Sequence, residues 1–153
     1  MKKILISFCF LILFECSGYK PIFATKDLTF FISEIENTDN NKITKKIINN
    51  LRSYKLENTN KKGYSLKIIS AENNKVTSRD SKGDPLTYRL EINVETKIFN
   101  DNSNLLLNTL KIKKDFVYNY QINQFELGQY KKNIIENLIV KISEEIIFEL
   151  QLM

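Results

Sequence analysis

Apolar and polar side chains alternate along residues 86–98, and this pattern limits the possible folds more than any other feature of the chain. The apolar set comprises Leu86, Tyr88, Leu90, Ile92, Val94 and Ile98, and the polar set comprises Thr87, Arg89, Glu91, Asn93, Glu95 and Lys97. Successive side chains of a strand point to opposite faces of a sheet. One face is therefore apolar and the other wet, which is typical of an antiparallel sheet covered on one side.

Three further segments have strand character. Residues 28–35 are rich in β-branched and aromatic side chains, and residues 64–68 alternate between apolar and polar side chains. The segment 105–118 follows the turn residues of 100–104, just as the strand at 86–98 follows the turn at 80–85. Its predicted inward side chains are Leu110, Ile112 and Phe116.

Two segments have the spacing of amphipathic helices. Residues 40–56 carry an apolar stripe, and residues 124–150 carry a broader one that includes Phe125, Tyr130 and Ile134. A broad stripe suits packing across a sheet. The element order is strand, helix, strand, strand, strand, helix. This order predicts an α+β two-layer sandwich, with two helices on one face of a four-stranded mixed sheet.

The N-terminus has the layout of a secretory signal. Lys2 and Lys3 precede the apolar run of 4–14, and Cys16 follows it almost directly. This arrangement predicts a lipoprotein-type signal peptide over 1–15 and acylation of Cys16, with one mature domain over 16–153. The alternative is an ordinary signal peptide with an incidental cysteine, and Glu15 favours that alternative because a small residue commonly precedes a lipoprotein cysteine.

The composition argues against an enzyme. The chain carries a formal net charge of +5 and contains no histidine, two cysteines and four glycines. Histidine is the commonest general base and a frequent zinc ligand, so the usual hydrolytic triads and zinc sites are excluded. Glycine-rich phosphate-binding loops are absent as well. We therefore do not expect an enzyme, a cofactor or a metal site.

Several short motifs together suggest a family. The stretch after the apolar run reads Cys16-Ser-Gly-Tyr-Lys-Pro-Ile-Phe, and the middle of the chain contains Thr77-Ser-Arg-Asp and Tyr88-Arg-Leu. Phe116-Val-Tyr-Asn-Tyr is followed by Asn123-Gln-Phe and the long helical pattern. These motifs and the element order resemble LptE, the lipopolysaccharide-assembly lipoprotein family of the Gram-negative outer membrane. Ser17, inserted before Gly18, and Glu15 depart from the family pattern.

The resemblance implies a palmitoylated lipoprotein on the periplasmic side of the outer membrane. It would act as a plug in the lumen of the LptD β-barrel and would bind lipopolysaccharide. The phosphates and carboxylates of that ligand suit basic side chains. The candidates are Arg79, Lys82 and Arg89 near the turn at 80–85, and Lys111, Lys113 and Lys114 on a polar strand. The alternative for each is a solvated surface charge.

Two other functions fit parts of the sequence. An auxiliary lipoprotein of an envelope lipid or ABC-type transporter would share Cys16 and the basic surface. A nucleic-acid-binding domain would need exposed stacking aromatic side chains on the sheet, whereas the alternation places most of them inside. Tyr118 and Tyr120, just before the last helix, are predicted to cap the sheet edge and to support the start of that helix.

Overall fold

A computed structural model describes residues 28–55 and 61–153, where four strands form one sheet and two helices lie along one of its faces. The elements are β1 (Phe30–Asn37), α1 (Lys42–Leu51), β2 (Lys62–Arg79), β3 (Pro85–Asn100), β4 (Leu106–Asn119) and α2 (Gln124–Leu152). The strands are ordered β1-β2-β3-β4 across the sheet, with β1 and β2 parallel and the other pairs antiparallel. The predicted α+β fold and element order are confirmed. The predicted signal peptide and Cys16 lie outside the described residues.

The core lies between the sheet and the helices. The alternation of β3 is confirmed over most of its length, since its inward side chains from Leu90 to Ile98 are buried. Thr96 lies in the same row, and its hydroxyl oxygen has no hydrogen-bond partner in the described part of the chain. Opposite this row are the buried aliphatic side chains of the helices, which include Ile47 and Leu51 of α1 and Ile139, Ile142, Ile146 and Ile147 of α2.

Asp39 attaches the start of α1 to the middle of β2. Its carboxylate accepts hydrogen bonds from the Ser70 amide at 2.8 Å, the Thr44 hydroxyl at 2.9 Å and the Asn41 amide at 3.0 Å. Asn41 caps α1 by accepting from the Ile43 amide at 2.9 Å. Burial disfavours the charged carboxylate, but the bonds from Asn41, Ser70 and Thr44 outweigh it and lower the pKa of Asp39.

Two elements differ in length from the predictions. β2 continues well past Ile68 to Arg79, because its polar second half pairs with β3 as far as Pro85. The Thr77 and Thr87 hydroxyls, 2.7 Å apart, join these strands near the hairpin. α1 is shorter than predicted and ends at Leu51, where a single turn of 3₁₀-helix follows it.

Three side chains that were predicted to be inside are exposed. Leu86 is 49% exposed, close to the β2–β3 hairpin. Phe116 is 43% exposed on the edge strand β4, where it lines a groove beside α2. Phe125, in the first turn of α2, was assigned to the apolar stripe and is 73% exposed. The three side chains have the predicted spacing, but the other layer does not cover them fully.

Candidate functional site

The first group of predicted ligand-binding residues lies towards one end of the sheet and comprises Arg79, Lys82 and Arg89. We call this end the tip: it comprises the β2–β3 hairpin at 80–84, the adjoining strand ends and the junction of β4 with α2. Thr87 pairs with Asn119, and the Tyr120 amide donates to the Leu86 carbonyl at 2.8 Å. These contacts hold the hairpin and the start of α2 side by side.

A cluster of tyrosines supports the tip. The rings of Tyr88 and Tyr118 stack with centroids 5.5 Å apart, and Tyr130 of α2 meets Tyr118 edge-on at 6.2 Å. The buried Tyr118 hydroxyl accepts a hydrogen bond from the Asn74 side chain at 2.9 Å. The cluster therefore connects β2, β3, β4 and α2 by packing and by a polar contact.

Tyr120 contacts the first residue of α2. The side-chain amide of Gln124 donates to its hydroxyl at 3.1 Å, and its ring lies 6.4 Å from that of Tyr88. These contacts confirm the prediction that Tyr120 supports the start of the last helix.

The structure brings Arg79 and Lys82 together in the hairpin. Arg79 donates from Nη1 to the Gly83 carbonyl at 2.7 Å, and Asp80 accepts from the amides of Lys82 and Asp84 at 2.9 and 2.8 Å. Gly83 has φ +91°, a conformation that favours glycine. The Arg79 side chain thus helps to hold the turn. The Lys82 side chain lies exposed at its end and makes no polar contact with the described residues.

Arg89 lies further along β3, on the sheet face away from the helices. Its Nε is 3.6 Å from a carboxylate oxygen of Asp115 on β4. Both side chains are about half exposed, so this ion pair is weak and leaves Arg89 available to a ligand.

Exposed apolar side chains also lie at the tip. Ile122, in the loop before α2, is 91% exposed, and Phe125 is 73% exposed. Leu86 and Val117 are also exposed on the adjoining strand ends. Clustered exposed apolar side chains commonly mark an interaction surface. The tip thus combines basic and apolar groups, and sequence periodicity missed the apolar part because it assigned Leu86 and Phe125 to the core.

A groove between β4 and α2 opens beside the tip. Its volume is about 450 Å³, and its apolar lining includes Phe116, Tyr130, Ile134, Leu138 and Val140. Asn133, Asn137, Lys141 and Glu144 supply its polar lining. The groove extends the apolar surface of the tip along the side of α2.

The second group of predicted ligand-binding residues, Lys111, Lys113 and Lys114, is divided between the two faces of the sheet. Lys111 and Lys113 lie on the face away from the helices, with Lys111 opposite Glu95 and Lys113 Nζ 2.6 Å from Glu91 Oε2. Lys114 points to the other face and pairs with Glu145 of α2. Adjacent residues of a strand cannot share a face, so Lys114 does not belong with the other two.

Charges on the open face of the sheet are largely paired. Hydrogen bonds from Lys113 and Asn93 lower the pKa of Glu91. Two further ion pairs lie on this face, nearer to the end of the sheet opposite the tip. Lys67 is 2.8 Å from Glu36, and Lys97 is 3.8 Å from Glu95. This face is a mixed-charge surface rather than a basic patch, so the tip is the better site for an anionic ligand.

Neither helix in the described part of the chain combines the length and the apolar composition that crossing a membrane requires. Within residues 28–55 and 61–153, no three or more acidic, cysteine or histidine side chains are grouped so that they could hold a metal ion.

Comparison with known proteins identifies the fold. No family model and no curated protein matches the sequence. The rare lipoprotein B of Shewanella oneidensis is similar in structure, with a TM-score of 0.61 and 13% identity over 78% of this chain and 92% of that chain. Lipoprotein B of Nitrosomonas europaea gives a TM-score of 0.59 and 15% identity over 85% and 90%. A minor lipoprotein of Acinetobacter baumannii gives a TM-score of 0.54 and 15% identity over 80% of this chain and 94% of that chain. The chain therefore has the fold of a group of bacterial lipoproteins.

Proposed function

We propose that this protein is an outer-membrane lipoprotein, anchored through Cys16 on the periplasmic side, that binds lipopolysaccharide and plugs an LptD-type β-barrel. The fold shared with three bacterial lipoproteins supports the first part. The motif that begins at Cys16 resembles the start of LptE proteins and supports the rest.

The amphipathic tip is the observation that carries the ligand proposal. Lys82 and Arg89 offer cationic groups to phosphates, while Ile122 and Phe125 offer apolar surface at the same end of the domain. An anionic lipid presents the same combination of charged headgroup and acyl chains. Neither a nucleic acid nor a small polar metabolite would use so much exposed apolar surface.

The open face of the sheet suits the wall of a barrel. It carries alternating basic and acidic side chains in cross-strand pairs, such as Lys113 with Glu91 and Lys67 with Glu36. The interior of an outer-membrane barrel is polar, so a mixed-charge face can contact it without burying apolar groups. The plug proposal therefore assigns the open face to the barrel and the tip to the lipid.

Affinity purification from detergent-solubilised envelopes tests the plug proposal. We expect a β-barrel of outer-membrane type to co-purify with the full chain in a stable complex. Recovery of an inner-membrane ATPase system in its place would favour the auxiliary transporter lipoprotein. Recovery of soluble periplasmic proteins alone would refute the plug.

Charge reversal at the tip tests the ligand. The double substitution Lys82→Glu with Arg89→Glu should weaken lipopolysaccharide binding about tenfold, because each exposed charge contact contributes up to about 1 kcal/mol. Arg79 is left intact because it holds the turn through Gly83. Binding is measured with purified lipopolysaccharide at low and high salt, and the difference should shrink as salt screens the contacts.

The matched control places the same charge change elsewhere. Lys42 and Lys45 on α1 are exposed and away from the tip, and their side chains make no polar contact with the described residues. Lys42→Glu with Lys45→Glu should leave binding within about twofold of the wild type. An equal loss in both double variants would mean that only net charge matters and would remove the tip from the proposal.

A further inference from the structure

The end of the sheet opposite the tip is where the chain from Cys16 enters the fold. We call this end the base: it comprises Leu28, the starts of β1 and β2, the turn between β3 and β4, and the end of α2. Leu28 is buried, the Thr29 amide donates to Gln151 Oε1 at 3.2 Å, and Lys62 Nζ donates to the Met153 carbonyl at 2.6 Å. The entry point is therefore held firmly against α2.

The distance from anchor to base is limited. A chain from residue 16 to residue 28 spans at most about 40 Å when it is fully extended. β2 alone has 18 residues and is about 55 Å long. An acylated Cys16 consequently keeps the base near the lipid surface, while the tip can lie far from it.

The base exposes leucines that have no function in the fold. Leu105 is 63% exposed, Leu106 is 47% exposed and Leu107 is 40% exposed, in one run at the start of β4. Leu152, at the end of α2, is 66% exposed. Leu106 pairs with Phe99 on the open face, so the apolar surface continues onto β3. A run of three exposed leucines is typical of an interaction surface.

The charges of the base permit a membrane as its partner. Among residues 61–62, 100–107 and 149–153, the charged side chains are those of Lys61, Lys62, Asp101 and Glu149. These side chains carry no net charge, so an anionic lipid surface would not repel the base.

We propose that the base is a membrane-contact surface, whose exposed leucines lie in the interface of the same membrane that holds the acyl chains of Cys16. This inference rests on the acylation in the proposed function and adds an orientation to it. The acyl anchor raises the effective concentration of the base at the lipid surface. A contact that is too weak to bind the free domain to a membrane therefore forms in the anchored domain. The tip and its basic groups then lie at the end of the domain farthest from the anchor.

Site-specific labelling of the full acylated chain tests this orientation. Leu106→Cys places a single reactive thiol at the base, because the thiol of an acylated Cys16 is blocked. Leu86→Cys is the matched control at the tip, since Leu86 is 49% exposed and Leu106 is 47% exposed, each near the end of its strand. Both variants carry an environment-sensitive dye and are reconstituted in phosphatidylcholine vesicles that contain a brominated phosphatidylcholine, so that no anionic lipid is present for the tip to bind.

We expect the dye at residue 106 to be shifted to the blue and quenched by the brominated lipid several-fold more than the dye at residue 86. Leu152→Cys, on a different element of the base, should behave like Leu106→Cys. Equal quenching at 106 and 86, or quenching at 86 alone, overturns the inference. So does a label at 106 that is shielded without being quenched, because it indicates a protein partner such as a second copy.

Mass spectrometry of the same samples separates the two proposals. An acyl mass on Cys16 with equal quenching at both positions refutes the membrane-contact surface and leaves the lipoprotein intact. A mature chain without acyl mass refutes the anchor and, with it, the orientation that depends on the anchor.

Discussion

Replacing Tyr118 with alanine should lower the free energy of unfolding by about 3–4 kcal/mol, as expected when a buried aromatic side chain is truncated. Tyr118 is 4% exposed, and its ring stacks on Tyr88 and meets the edge of Tyr130. The truncation also leaves the side-chain amide of Asn74 without its acceptor. Because the cluster connects four elements, the tip should lose order before the rest of the sheet. Urea unfolding measures the change, and hydrogen exchange locates it.

Two further variants separate the ring from the hydroxyl. Tyr118→Phe removes only the contact with Asn74 and should cost about 1 kcal/mol. Tyr120→Ala should cost less than Tyr118→Ala, since Tyr120 is 38% exposed and its hydroxyl contacts Gln124 near the surface. If Tyr118→Phe were as damaging as Tyr118→Ala, ring packing would not be what supports the tip.

The fold could be predicted because β3 and α2 carry strong periodic patterns. In β3 the apolar residues recur at every second position, and burial of Leu90, Ile92 and Val94 confirms that this row faces the helices. The pattern specifies the element and the buried face together, since a shift by one residue would expose the whole row. Element order then left few possible topologies.

The length of β2 could not be read from its own side chains. Its second half is polar, and its residues from Asn73 to Arg79 are held by backbone pairing with β3. Hydrogen bonds of the sheet do not depend on side-chain polarity, so periodicity gives no signal there. The sequence does predict the hairpin turn at 80–84. Because β2 and β3 remain paired as far as this turn, both strands are long.

The candidate site was predicted only in part, for a related reason. Arg79 and Lys82 were identified because the turn chemistry around them is distinctive, and the structure does place them in the hairpin. Leu86 and Phe125 were missed because an apolar pattern does not show where the opposing layer ends. Lys114 was grouped with its neighbours in sequence, although neighbours in a strand face opposite sides.

Replacing Cys16 with alanine should abolish incorporation of labelled palmitate and remove the acyl mass from the mature chain. Two or three acyl chains hold a protein durably, at about 0.8 kcal/mol for each buried methylene, whereas one chain holds it only marginally. The apolar run of 4–14 is too short to replace them, since it rises about 16 Å as a helix against a hydrocarbon core of about 30 Å.

The Cys16→Ala protein should therefore partition less into membranes. Ser17→Ala, next to the modified residue, should keep both the label and the acyl mass of the wild type. If the mass of Cys16→Ala differed from the wild type only by the substitution itself, the cysteine would never be modified, and Glu15 before it would then mark an ordinary signal peptide. The tip and the open face of the sheet could still bind lipid and barrel in that case, because neither surface includes the anchor. Loss of the anchor alone would therefore change how the protein is held at the membrane. Lipopolysaccharide binding and co-purification with a β-barrel would still test the proposed ligand and partner.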